Sequence, residues 1–205
     1  MAGRIVITGM GAVTPVGIGV DDYWDALLRG ECGIGEIEQA RERGLLVSRA
    51  ARVKNFNPRD HLNVRLAADL EPFMQYAYVA AEQALADSGM DARSWRTGVV
   101  MGTALAGLEL AGQTQQDFAG AGKPVPPRFL SKYMGNIAAA QFAISHGIKG
   151  PSLTVGTACS SGGDALVTAS MLLRSGEADA VVVMAGEAAI GPLVINGLCK
   201  AGALS

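Results

Sequence analysis

The sequence predicts a layered α/β protein built on a mainly parallel sheet with helices on both sides. Three observations predict it. Short β-branched runs alternate with alanine-rich stretches whose apolar residues recur at helical spacing. Glycine-rich junctions join the two kinds of segment, the 27 glycines being spread along the chain rather than gathered in a repeat. One run, Ala180 to Ala185 (AVVVMA), is continuously apolar, the pattern of a strand buried on both faces.

The elements follow in order. Arg4 to Thr8 (RIVIT) reads as a strand running into the Gly9-Met10-Gly11 turn. Asp21 to Arg29 has helical spacing at Trp24, Leu27 and Leu28, with Asp21-Asp22 as N-cap and first-turn charge. Gly30 to Asn63 is rich in charge and glycine and contains Asn57-Pro58, so an irregular surface excursion is expected. Glu71 to Ser88 is a long buried helix, with Pro72 in its first turn and Gly89 after its end. Gly98 to Gly102 is a strand; Lys123 to Pro127 is a loop before a helix over Phe129 to Ser145. Ser152 to Val155 is a strand, Gly162 to Arg174 a helix by its Leu166, Ala169, Leu172 and Leu173 spacing, and Ala180 to Ala185 the buried strand.

Composition bounds the function. With 205 residues, 49% hydrophobic and 18% charged, the chain holds one domain with a sizeable core or two small ones, and its apolar content argues against disorder. A net charge of −2 with no Lys/Arg stripe argues against nucleic acid as a partner. Ala178 to Ala189, the longest apolar stretch, is broken by Asp179 and Glu187, so no membrane span is expected. The N-terminus lacks the long apolar region of a secretory signal, and a cytoplasmic location is expected. Cys32, Cys159 and Cys199 are an odd number at wide spacing with only two histidines to assist, which points away from disulfides and zinc.

The sharpest local feature is Val155-Gly156-Thr157-Ala158-Cys159-Ser160-Ser161-Gly162-Gly163, where a β-run meets a helix through small residues. Small neighbours let a substrate approach the sulfur. In the first turn of a helix, unpaired N–H groups and the positive end of the dipole favour an anionic sulfur. The same N–H groups, that of Cys159 among them, are placed to stabilise an oxyanion. The other reading is an inert cysteine packed in a tight turn. His146, at the end of a helix before Gly147, and His61, beside Asp60, read more simply as a C-terminal helix charge and a surface side chain than as its base. Gly9-Met10-Gly11-Ala12-Val13-Thr14 departs from a dinucleotide fingerprint at Thr14 and Pro15, and a turn needing glycine for close packing is the better reading. Cys32 and Cys199 read as structural.

Four separated motifs, in order along the whole chain, carry a family resemblance. They are Arg4-Ile5-Val6-Ile7-Thr8-Gly9-Met10-Gly11-Ala12-Val13-Thr14-Pro15-Val16-Gly17, Gly147-Ile148-Lys149-Gly150-Pro151, Thr157-Ala158-Cys159-Ser160-Ser161 and Gly202-Ala203-Leu204-Ser205. The chain resembles the β-ketoacyl-[acyl-carrier-protein] synthases, the condensing enzymes of fatty acid and polyketide assembly. The resemblance implies a thiolase-like fold, in which two similar α/β halves pack as αβαβα layers. Residues 1–205 correspond to the N-terminal half, with a mixed, mainly parallel sheet.

The resemblance implies that Cys159 takes an acyl group from the phosphopantetheine arm of an acyl carrier protein. A malonyl-carrier protein then loses carbon dioxide, and its carbanion attacks the acyl thioester. No cofactor is bound by the chain itself, the phosphopantetheine belonging to the partner. By the same resemblance, Leu105 and Leu198 line the acyl pocket, Tyr133 and Met134 lie near a dimer interface and reach a partner's pocket, and Lys200 meets the acidic carrier protein. The partner chain is a second copy or a ketosynthase-like chain. Two histidines, a lysine and a glycine-rich turn of the family's active site come from the second half and have no counterpart up to Ser205, so the acyl-transfer step is covered and the decarboxylation lacks its donors. The rival reading is a non-catalytic ketosynthase-like partner that binds an acyl chain or dimerises.

Overall fold

The structure, a computed structural model, describes residues 3–204; Met1, Ala2 and Ser205, the last residue of the closing motif, lie outside the described residues. The chain opens with a minimal antiparallel ribbon, β1 (Val13–Thr14) and β2 (Gly17–Ile18), followed by α1 (Val20–Leu28). A second antiparallel ribbon, β3 (Ile34–Glu36) and β4 (Arg49–Ala51), and a 3₁₀ turn at Pro58–Asp60 lead to α2 (Val64–Asp69) and α3 (Pro72–Ser88). Then come β5 (Thr97–Gly102), α4 (Leu108–Ala121), α5 (Phe129–Tyr133), α6 (Ile137–His146) and β6 (Ser152–Val155). A 3₁₀ turn at Ala158–Ser160, α7 (Ser161–Arg174), β7 (Ala180–Ala185) and α8 (Pro192–Lys200) complete the described chain.

β5, β6 and β7 form a parallel sheet in the order β6-β5-β7, in the register Met101 opposite Thr154 on one side and Met184 on the other. All six residues of β5 are buried. Its side chains alternate between two cores, as a pleated strand requires. Val99 and Met101 pack with Phe73, Met74 and Tyr78 of α3 and Phe142 of α6. Val100 packs with Ala165 and Ala169, whose small side chains let α7 lie close on the opposite face. Tyr78 and Phe142 meet edge-to-face with centroids 5.1 Å apart, a geometry that adds about 0.5–1.5 kcal/mol to the burial itself. α3 begins at Pro72 and is closed by Gly89 in the left-handed conformation (φ 63°), as expected.

Several expectations are corrected by tertiary contacts. Arg4 to Thr8 has strand composition but no ladder partner among the described residues, and Val6 and Ile7 are exposed. Met10 N donates to Asp87 Oδ2 and Ala12 N to Gln83 Oε1, so α3 side chains hold the following loop while an apolar groove of about 1040 Å³ separates the segment from β7. β7 is therefore not buried on both faces: Val182 and Met184 are buried, Val181 and Val183 only partly. The helix expected over Phe129 to Ser145 is broken into α5 and α6. Met134 is extended, and a Cβ at Gly135 would lie 2.8 Å from Thr103 Cγ2, so the chain must straighten to pass the loop after β5. In the stretch expected to be irregular, β3 and β4 pair and Ile37, Ala40 and Leu45 form a small core with Ile195. Asp21 and Asp22 stand in the first turn of α1, and its N-cap is Gly19. Cys32, read as structural, is exposed.

Gly9 and Gly11 settle the alternative at the first motif. A Cβ on either would strike the backbone of α3, at Ala84 and Ala80 respectively, and the chain then turns into β1 and β2 instead of a helix. They are packing glycines. Gly11→Ala is expected to cost about 1–3 kcal/mol by overpacking against rigid backbone. Gly197→Ala, in mid-α8 with nothing within 4 Å of the added methyl, is expected to stabilise by about 0.5–1 kcal/mol. Chemical denaturation midpoints of the two variants check the opposite signs.

Candidate active site

The parallel strands end together, and the loops beyond their carboxyl ends meet at one place, where open α/β sheets hold their ligands. β6 ends at Val155, and the chain reaches α7 through Gly156, Thr157 and the 3₁₀ turn that contains Cys159. Ala158, immediately before the cysteine, is left-handed at φ 52°. For a residue with a Cβ this costs about 1–2 kcal/mol, so surrounding contacts must hold it. Cys159 is exposed at the mouth of this turn, with Gly156 and Ala158 as small neighbours.

Two further loops close on the turn. Thr103 N donates to Val155 O at 3.2 Å and Gly186 N to Gly102 O at 3.2 Å, which prolongs the sheet's pairing past its strands. A Cβ on Gly102 would lie 2.5 Å from the carbonyl oxygen of Ser161, so only glycine lets the end of β5 touch the first turn of α7. Ser161 is buried; its Oγ accepts from Thr157 N at 2.9 Å and lies 2.6 Å from Ala158 O and 3.3 Å from Thr103 O. Glu187 Oε2 accepts from Ala104 N at 3.1 Å and Leu105 N at 2.9 Å, pinning the loop after β5 to the loop after β7. On the outer side of the turn the hydroxyls of Thr157 and Ser160 donate to Asp164 and hold its carboxyl below the ordinary carboxylate range, against a smaller opposing effect of desolvation.

The residues singled out from sequence fall into two groups. Leu105, partly buried, sits in the loop that Glu187 and Thr103 fix beside the Cys159 turn. Tyr133 and Met134 end α5 against the same loop: Gly107 N donates to Tyr133 O at 3.1 Å, and a Cβ on Gly107 would lie 2.6 Å from Tyr133 Cα. Leu198 and Lys200 lie on α8, which packs on α4 and is tied by Asn196 to Leu46 and Gly44. His146 Nε2 is 2.9 Å from Glu82 Oε1 with its ring on Phe142, and His61 stacks on Phe56, so both are engaged in packing of their own. Among the described residues no cluster of three or more His, Cys, Asp or Glu is placed to hold a metal ion, and no helix is long and apolar enough to cross a membrane. Ser161, Asp164 and Glu187 escape sequence reasoning. Ser161 stands in the cysteine motif as a small neighbour, Asp164 is visible only as a first-turn acid, and Glu187 carries no local signal.

Fold and turn together define an α/β protein that presents a cysteine at the carboxyl ends of parallel strands, on a 3₁₀ turn that leads into a helix. The chain belongs to the β-ketoacyl synthase family: residues 2–205 match the family described as "Beta-ketoacyl synthase, N-terminal domain". It is 35% identical over 206 residues to 3-oxoacyl-[acyl-carrier-protein] synthase 2 of Vibrio cholerae serotype O1, and 34% identical over 206 residues to the protein of that name from Staphylococcus aureus. Each alignment covers 98% of this chain and 50% of the relative, so the chain spans about half the length of the curated relatives it matches. Among solved structures, it is similar to a type II polyketide synthase acyl-carrier protein in complex with its ketosynthase bound to the hexaketide (TM-score 0.82, 28% identity, 100% of this chain and 50% of that one). It is likewise similar to the ishigamide ketosynthase/chain length factor (TM-score 0.81, 28% identity, 98% of this chain and 56% of that one). These neighbours are ketosynthases, and the thiolase-like α/β fold expected from the sequence is the one observed.

The Asp164 cluster has a pH signature. A carboxyl held below its unfolded value stabilises the folded chain while it is ionised, above the ordinary carboxylate range at about pH 4. That contribution is lost as pH falls through the lowered folded value. Asp164→Asn is therefore expected to lower the melting temperature at pH 7, and the gap to the wild type is expected to close in strongly acidic buffer, as checked by thermal melts across pH.

Proposed function

We propose that this chain carries the acyl-accepting nucleophile of a 3-oxoacyl-[acyl-carrier-protein] synthase acting in fatty acid or polyketide assembly. The observation that carries the reading is the exposed Cys159 on a strained strand-to-helix turn, in a chain that matches its family from residue 2 to residue 205. The Cys159 sulfur, as thiolate, attacks the thioester carbonyl of an acyl group on the phosphopantetheine arm of an acyl carrier protein. The carbon–sulfur bond to the arm breaks, and the arm leaves as a thiol after gaining a proton. The Cys159 N–H is the donor for the oxyanion formed on the way. The carbanion left when malonyl-carrier protein loses carbon dioxide then bonds to the acyl carbonyl carbon of the acyl-enzyme as the carbon–sulfur bond to Cys159 breaks, releasing Cys159 as thiolate and a 3-oxoacyl product two carbons longer.

Pocket and partner roles follow the same reading. Leu105 lines the acyl chain's path from a loop fixed beside Cys159. Tyr133 and Met134, packed on that loop and partly exposed, reach a partner chain, either a second copy or a ketosynthase-like protein. Leu198 flanks the pocket from α8, and Lys200 faces the acidic carrier protein.

Intact-mass spectrometry of the full natural chain, incubated with acyl-carrier-protein thioesters of several lengths, tests the reading. The expected result is one acyl adduct that disappears in Cys159→Ala. A folded protein that gains no adduct would instead identify a non-catalytic ketosynthase-like partner.

A further inference from the structure

We propose that Ser161 is a positioning residue for Cys159, its buried hydroxyl holding Ala158 in the left-handed conformation that aims the sulfur out of the turn. The proposal rests on the reading of Cys159 as nucleophile and names the group that orients it.

The hydroxyl's bonds run the wrong way for a helix cap. A capping serine precedes the helix and accepts from an N–H two or three residues further on. Ser161 is the first residue of α7, and its Oγ accepts from Thr157 N, four residues earlier, on the far side of the cysteine. Its proton is directed to the carbonyls of Ala158, at 2.6 Å, and Thr103, at 3.3 Å. One hydroxyl thus joins the residue entering the turn, the left-handed residue and the loop after β5. Ser161 is only 3% exposed, so water has little access to replace these bonds. Ser160, the neighbouring hydroxyl, is exposed and bonds to Thr157 and Asp164 on the outer side of the turn. The two adjacent serines therefore serve opposite faces. The bonds from Ser160 N and Oγ to Thr157 O do not touch Ala158 itself, so losing the Ser161 hydroxyl removes the side-chain bond made to that residue, and the cysteine that follows turns with it.

The mechanism specifies its own rescue, because glycine adopts positive φ without the steric cost that alanine bears. In the full natural chain, Ser161→Ala is expected to slow acyl transfer to Cys159 by about tenfold, the population shift that the left-handed cost of one alanine implies. Iodoacetamide alkylation of Cys159 is expected to slow with it at every pH from 6 to about 9, the range around the thiol titration, while alkylation of the exposed Cys32 stays unchanged. Adding Ala158→Gly to Ser161→Ala is expected to recover most of the lost rate. An unaltered rate in Ser161→Ala, or a slowed rate that Ala158→Gly leaves unrecovered, overturns the proposal. Should Ser161→Ala fail to fold, hydrogen exchange on the wild type decides: the Thr157 amide is expected to be protected, and free exchange there overturns the proposal. If wild-type Cys159 accepts no acyl group, the nucleophile reading fails and this role falls with it; if it is acylated at the same rate in Ser161→Ala, only the positioning role fails.

Discussion

The approach of β5 to the first turn of α7 is the contact on which the rest of the structure depends. At Gly102 the strand backbone comes so near to Ser161 that a single methyl group has no room. This closeness lets β5 be buried on both faces, with α3 and α6 on one side and α7 on the other. It also brings the ends of β5, β6 and β7 level, so that the loops beyond them meet rather than splay. A larger residue at 102 would lift α7 from the sheet and carry the cysteine turn away with it.

The site is assembled from backbone more than from charged side chains. Ser161 binds an N–H and faces two carbonyls, and Glu187 collects N–H groups from the loop that holds Leu105. Such bonds reach their full value only where water is excluded, which Ser161 satisfies and the exposed Arg96–Asp179 pair at the opposite end of the strands does not. The left-handed Ala158 is held in place by this frame, so stability elsewhere supports an unfavourable conformation at the point where the chemistry is proposed.

Beyond the site, the helix that carries the turn shows a second character. Leu166, Val167 and Met171 on α7, and Leu153 on β6, are exposed large apolar side chains. They lie on the same elements that position Cys159, so the helix and strand that build the turn on one side carry apolar surface on the other.

Much of the scaffold was legible in the sequence. The strands at 152–155 and 180–185 appear at their expected bounds, β5 and α7 begin one residue earlier, and α3 has its expected stop. Their signals are local: period, β-branching, proline at a helix start and glycine at its end. α4 was not legible, because Gly112, Gly120 and a run of Gln and Thr leave no apolar stripe and none of its residues is buried. The N-terminal strand was over-read, since composition supplies a tendency to pair but not an edge to pair with. Of the site, the cysteine and its small neighbours were visible as a strand-to-helix junction. By itself the sequence determined the parallel α/β frame and the place of Cys159 within it, because periodicity and turn chemistry act over a few residues. Only the tertiary structure decided that Ser161 reaches backwards across the turn to Thr103, 58 residues away, and that Glu187 grips Leu105 from 82 residues further on. Contacts of that span are set by how the strands are ordered in the sheet, and no local pattern encodes them.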